Sequence, residues 1–275
     1  MDLSKILKIN QEKIIRIQNL PIKSSNHDFN VIPISTDSKN LDSVLGGGFF
    51  YGKTYLIFGA NSTGKTQLIH QLCIQAYKQL VELNPIKTTE DFKMIYYLDT
   101  ENTFRPERIK ELASTRNVEY NKILKSILVA KIMSNSALLM ALKNIEEQLN
   151  KGENAILLID SINNYYRSEQ GNENLSFHRI KNTFIQILNK LNNLNKKFNL
   201  CIIATAQVVP NFINDALIEN IPVGNQYLNH FFSEYLFLSH RDQKNYVHLV
   251  NSSTLPEKKV LYKITSEGIT DYKIY

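Results

Sequence analysis

Between Thr54 and Leu83 the chain passes through an apolar stretch (Thr54–Phe58), the octet GANSTGKT (Gly59 to Thr66) and a segment with apolar residues at helical spacing. The octet fits the pattern GxxxxGK[ST]. No other stretch constrains the fold as strongly, because the pattern works only where a strand ends and a helix begins. Backbone N–H groups of the loop and of the helix N-terminus must converge on phosphate oxygens. The spacing predicts a strand over 54–58 and a helix over 65–83, with Leu68, Ile69, Leu72, Cys73, Ala76, Tyr77, Leu80 and Leu83 on one face. Gly59, Ala60, Asn61, Ser62, Thr63, Gly64, Lys65, Thr66 and the following Gln67 are therefore the candidate triphosphate-binding residues. Lys65 adds a charge near the β- and γ-phosphates, and the Thr66 hydroxyl is suited to Mg²⁺. The plainer alternative is a glycine turn with a chance lysine, and the flanking strand and helix patterns argue against it.

Further along, strand and helix patterns alternate. Met94–Thr100, Ile127–Ala130, Ala155–Asp160 and Leu200–Thr205 read as buried strands, and Pro106–Ser114, Ser136–Leu149 and Phe177–Phe198 as helices. The last helix is expected to turn Phe177, Ile180, Phe184, Ile187, Leu188 and Leu191 inward. Three strand-like runs follow, Tyr235–Ser239, Asn245–Val250 and Lys259–Ile264. The pattern predicts an α/β fold: a mostly parallel central sheet flanked by helices, with a C-terminal antiparallel extension. With 275 residues, 43% of them hydrophobic, one substantial core is the economical reading. Residues 1–33, polar and basic, are expected to be an N-terminal arm or linker, and 34–275 the core. No apolar run approaches bilayer length, so no membrane partner is expected. Cys73 and Cys201 sit in apolar contexts and form neither a disulfide framework nor a metal site.

Strand ends supply the remaining candidates. Asp160 follows ILLI, so its carboxylate should emerge beside the loop, where a metal-supporting acid belongs. Asp99 and Glu101 close the strand MIYYLDT, and from spacing alone either could polarise a water next to a γ-phosphate. Gln207, just past LCIIAT, ends another strand. A net charge of +6 fits a polyanionic partner and equally fits a solvated basic face.

ISTDSKNLDSVLGGGF, GANSTGKTQLIHQLC, YYLDTENTFRPERI, LLIDSINNYYRSE, TAQVV and LPE…YKITSEGI stand in the order and spacing of the RecA/RadA recombinase family. From about Ile34 to Ile274 the chain resembles the ATPase core of archaeal RadA and its eukaryotic counterparts and paralogs. The resemblance implies a RecA-like P-loop fold with ATP and Mg²⁺ as cofactors. It places Glu101 as the water-activating glutamate, Lys65 on phosphate, Thr66 and Asp160 on the metal, and Arg108 over the adenine. Gln207 would link the γ-phosphate to a second DNA-binding loop, and His230 falls near a family histidine that senses the γ-phosphate.

Departures from the family pattern carry their own expectations. Residues 1–33 cannot hold the small helical DNA-binding domain of this branch, and no FxxA subunit-joining motif precedes Ile34. Asn102 replaces the glycine of DTEGTF, while Asn251 and Ser253 replace an aspartate and a proline that cap a neighbour's ATP. From Gln207 through His240 there is no Lys or Arg, although DNA affinity comes largely from such charges. The presumed DNA loops, roughly 163–176 and 208–229, offer Tyr165, Tyr166, Arg167 and Phe212 as contacts, the aromatic ones for base stacking. Together these features predict an ATP-binding, slowly hydrolysing accessory factor in homologous recombination or repair. Its partners would be a recombinase or recombinase paralogs, in homo- or hetero-oligomers, and single-stranded DNA held weakly. The alternatives are the strand-exchange recombinase itself and a non-catalytic ATP-dependent protein-binding module. An intracellular location is expected, cytoplasmic in an archaeon or nuclear in a eukaryote.

Overall fold

Four of the apolar runs are strands buried on both faces, which is why their sequences are continuously apolar and not alternating. β1 (Thr54–Gly59), β2 (Ile95–Asp99), β4 (Ile156–Asp160) and β5 (Cys201–Ala206) are buried along their whole length, apart from Thr54 at the rim. The computed structural model describes residues 32–83, 94–150, 154–172, 174–213 and 216–272. Apart from Ile32 and Pro33, the proposed N-terminal arm lies outside them.

With β3 (Ile127–Lys131), β8 (Glu234–Arg241), β9 (Lys244–Ser252), β10 (Lys258–Thr265) and β11 (Gly268–Asp271), these strands form one nine-stranded sheet ordered β11-β10-β9-β8-β1-β5-β4-β2-β3. From β8 to β3 every pairing is parallel; β9, β10 and β11 add on antiparallel. The expected fold class is the observed one. Of the three C-terminal runs, the first belongs to the parallel sheet, since β8 pairs with β1 from Tyr55↔Glu234 to Gly59↔Leu238.

The short α1 (Lys39–Val44) is capped by the Ser38 hydroxyl and tied to β11 by a 2.6 Å bond from that hydroxyl to Asp271. α2 (Lys65–Leu83) follows the octet as predicted, but it is buried almost all round. It packs against β1, β2 and β4, against the edge strand β11 and against α3 (Pro106–Ser114), and Gln71 reaches the segment before β1. Several of its polar residues are therefore buried, and Gln71 and His70 among them have partners. Gln71 donates to the Thr36 and Ile269 carbonyls and accepts from Ile269 N at 2.7 Å. α3 opens on Pro106 at its first turn, a position that needs no N–H donor. A helix the sequence did not announce, α4 (Tyr120–Ser126), leads into β3.

α5 (Asn135–Gln148) and α7 (Phe177–Phe198) pack together on the sheet, each capped by a serine, Ser134 and Ser176. Ile180, Phe184, Ile187, Leu188 and Leu191 of α7 are buried as expected, whereas Phe177 is 57% exposed. Phe177 occupies the first helical position, before the helix comes down onto the sheet, so helical spacing alone misplaces it. The segments expected to be loops also carry structure. α6 (Asn164–Glu169) follows β4, and β6 (Val208–Pro210) pairs with β7 (Asn220–Pro222) in a small hairpin before α8 (Asn225–Leu228). Among the described residues no helix is long and apolar enough to cross a membrane.

Candidate functional site

Strand order decides what the carboxyl ends bring together. β1, β5, β4 and β2 are adjacent, so the octet, Gln207, Asp160 and Glu101 leave the sheet along one edge roughly 14 Å wide, three strand spacings. A ligand cleft at the carboxyl ends of parallel strands is the general rule for such sheets. Here the cavity is about 420 Å³ and is lined by Asn61, Ser62, Gly64, Lys65, Thr66, Gln67, Glu101, Asp160, Gln207 and Ile264.

The loop itself can take only certain residues. Gly59 has φ +153°, and a Cβ there would lie 2.0 Å from the Leu238 carbonyl oxygen on β8. Gly64 has φ +93°, with the Ile264 side chain where a Cβ would press. Ser62 also adopts a left-handed conformation, φ +64°. Lys65 Nζ donates to the Gly59 and Ala60 carbonyls at 2.8 and 2.9 Å, folding back along its own loop. Burial lowers the Lys65 pKa, and the charges of Asp160 and Glu101 oppose that shift. An anion in the cleft would strengthen the charged form in the same way.

Asp160 is buried and ringed by hydroxyls. Its Oδ2 accepts from Thr66 Oγ1 at 2.8 Å and Thr103 Oγ1 at 3.0 Å, with Tyr97 OH at 3.5 Å, while Oδ1 accepts from Thr205 Oγ1. Burial, with Asp160 nearby, holds the Tyr97 pKa well above its ordinary value, so this phenol stays a donor. Thr103, Thr205 and Tyr97 were not singled out in the sequence. Their signal depends on knowing that β2, β4 and β5 are neighbours: Thr205 and Thr103 lie near or beyond strand ends, and Tyr97 lies in the middle of β2.

The pair left open by spacing separates cleanly. The Asp99 carboxylate accepts the backbone N–H groups of Glu101 (3.2 Å), Thr103 (3.0 Å) and Phe104 (3.0 Å), so it shapes the turn after β2. Glu101 instead lines the cleft, accepting from Gln207 Nε2 at 2.9 Å and from Ser161 Oγ. Gln207 also donates to Asn164 Oδ1 at 3.1 Å and accepts from Arg167 at 3.2 Å. Beyond this wall lies a second cavity of about 430 Å³, bordered by Asn102, Lys131, Met133 and Tyr165. Asn102 has φ +57°, a conformation asparagine tolerates better than most non-glycine residues, so its replacement of a glycine preserves the turn.

Arg108 does not line the cleft itself and adjoins it through Gln67, which does. Its guanidinium bonds Gln67 Oε1 (2.8 Å), Glu111 (2.7 Å) and the carbonyls of Ser266 (2.8 Å) and Thr265 (3.3 Å). His230 is exposed beyond α8 and does not line the cleft. Asn251 pairs with Tyr235, level with Leu56 and three residues, roughly 10 Å, short of Gly59 along the sheet. Ser253 turns inward to Glu234 at 3.3 Å. Neither residue lines this chain's own cleft.

The expected DNA contacts scatter. Tyr166 is corrected: it is 1% exposed, stacked on Phe184 with ring centroids 4.3 Å apart, and cannot reach a base. Its apolar ring belongs to the face of α6 that packs on α7. Tyr165 is partly exposed beside the second cavity, Arg167 is held by Gln207, and Phe212 is 89% exposed.

The residues present fit a triphosphate with Mg²⁺: small or left-handed positions line the loop, and a hydroxyl and a carboxylate adjoin Lys65. Among the described residues no group of three or more His, Cys, Asp or Glu is placed to hold a metal. A magnesium carried mainly by phosphate oxygens needs no such cage. Residues 27–272 match the Rad51 family. Over 247 residues the chain is 32% identical to the meiotic recombination protein DMC1 of Saccharomyces cerevisiae, covering 88% of this chain and 72% of that relative.

Proposed function

The chain belongs to the Rad51 family of RecA-like recombination ATPases, and from that premise we propose that it binds and slowly hydrolyses ATP as an accessory recombinase paralog. The observation that carries the ATPase reading is the meeting of Lys65, Thr66, Glu101, Asp160 and Gln207 around one cleft. Lys65 and the loop amides would hold the phosphates. Thr66 and Asp160 would hold Mg²⁺, which supplies positive charge to the transferring group. Glu101, positioned by Ser161 and Gln207, would orient the attacking water and take its proton. Lys65→Ala should weaken ATP affinity at least 100-fold by calorimetry; unchanged binding would remove the loop assignment.

Support for the accessory role comes from residues that depart from the family pattern outside this chain's own cleft. Asn251 and Ser253 stand where the family caps a neighbour's nucleotide, and the segment 207–240 has no cation for DNA phosphates. Mass measurement with ATP, single-stranded DNA and the cognate recombinase tests it. Hetero-oligomeric co-assembly with the recombinase is expected, with or without self-association, and with only weak DNA binding alone. Long ATP-dependent filaments of this chain alone, with strand exchange, would establish the second reading, the recombinase itself. That reading draws on the likeness to DMC1 and on the turn that Asn102 preserves. Division into an N-terminal arm, 1–33, and a core, 34–275, is part of the proposal.

A further inference from the structure

His70 lies one turn after Thr66 on α2 and is 1% exposed. Its Nδ1 is 2.8 Å from the Thr66 carbonyl oxygen, and its Nε2 accepts the backbone N–H of Arg105 at 3.0 Å. A backbone N–H can only donate, so Nε2 carries the lone pair and Nδ1 carries the proton given to Thr66. The ring also stacks on Phe104, centroids 5.7 Å apart and planes within 17°. Arg105 is the N-cap of α3 and has no side-chain cap bond, so this bond to His70 ties the start of α3 to α2. Arg108 sits in the first turn of α3 and reaches Gln67, one turn before His70.

We propose that His70 is a positioning residue for the nucleobase side of the cleft, joining the helix that follows the phosphate loop to the Arg105–Arg108 segment. The proposal rests on the ATP reading above, extended by the position over the adenine that the family resemblance implies for Arg108. Phosphate grip and base grip would then be separable: the loop acts without His70, whereas the placement of Arg108 depends on it.

The test uses the full chain with Mg²⁺ and two probes, ATP and inorganic triphosphate, measured by calorimetry beside steady-state turnover. His70→Phe keeps volume and stacking but loses both bonds; His70→Asn keeps a donor for Thr66 but cannot reach Arg105; His70→Gln can reach Arg105 as an acceptor. Phe and Asn variants are expected to raise Kd and KM for ATP about tenfold, the scale of one buried hydrogen bond, with kcat within about threefold. Triphosphate affinity should stay within about twofold, and His70→Gln should restore most ATP affinity. Arg108→Ala should show the same split, and combining it with His70→Phe should add little, as for two residues acting through one contact. Equal weakening of both probes in the Phe and Asn variants would overturn the proposal, as would unchanged ATP affinity in His70→Phe or failure of His70→Gln to rescue. If the unaltered chain bound neither probe, the nucleotide reading itself would fall first.

Discussion

Two segments that the sequence treats alike, 163–176 and 208–229, end up in opposite physical states. The first becomes α6 and joins the scaffold of the cleft. Tyr166 stacks in the core, Asn164 and Arg167 hold Gln207, and Glu169 accepts from Asn135 N and Nδ2 at 3.1 and 2.8 Å, capping α5. In the second, the hairpin β6–β7 leaves Phe212, Ile213 and Leu217 outside, at 89%, 71% and 63% exposure. Asn163 joins the two roots, donating to the carbonyls of Gln207 and Val223 and accepting from Gln207 N. Resemblance at the level of motif thus fixes where a segment lies in the chain, while packing decides whether its aromatic residues are core or surface.

The largest effect expected from this contrast is on folding. Tyr166→Ala should cost about 3–5 kcal/mol, as for other large buried aromatics, whereas Phe212→Ala should stay within about 0.5 kcal/mol. Denaturant unfolding of both variants measures this, and similar losses would erase the distinction.

Next is turnover. Glu101→Gln should lower kcat by about 10²- to 10³-fold, within the span attributed to positioned acid–base groups, with ATP affinity nearly kept. Equal rates near background for both proteins would leave a nucleotide-gated binding module as the surviving reading.

Thr205→Val removes one of the hydroxyl donors to Asp160 and should cost about 1–3 kcal/mol of stability, the penalty for a buried acceptor that loses a partner. A thermal melt checks it, and no change would mean the carboxylate is satisfied without Thr205.

Smallest is the effect of salt on DNA binding. With no Lys or Arg from 207 to 240, changing Phe212 to Ala should lower single-stranded DNA affinity without altering the slope of log K against log salt. A slope that shrinks with Phe212→Ala would show that the hairpin organises phosphate contacts after all.

Local pattern made the octet loop between a strand and a helix, the helix over 65–83, the four buried strands and the strand-end positions of Glu101, Asp160 and Gln207 legible. Each rests on a periodicity or spacing that spans no more than a few turns. Helical spacing read α2 as one-sided, because a sequence window cannot tell that β11 and the segment before β1 close over Gln71, or that the turn after β2 closes over His70. It likewise gave α6 no structure, since six residues hold a helix only when Tyr166 has Phe184 to pack on.

What the chain's order of residues determined by itself is the chemistry available: a glycine-containing loop with a lysine, a hydroxyl, carboxylates and an amide at strand ends. Which of them meet was decided by the strand order β1-β5-β4-β2. That order aimed Glu101 at Gln207 across the cleft and surrounded Asp160 with hydroxyls from three other segments, while Asp99 was left to its own turn through bonds within five residues. Hydrogen bonds between residues dozens of positions apart exist only once the sheet has brought their backbones within a few ångströms, and no short-range pattern encodes that distance.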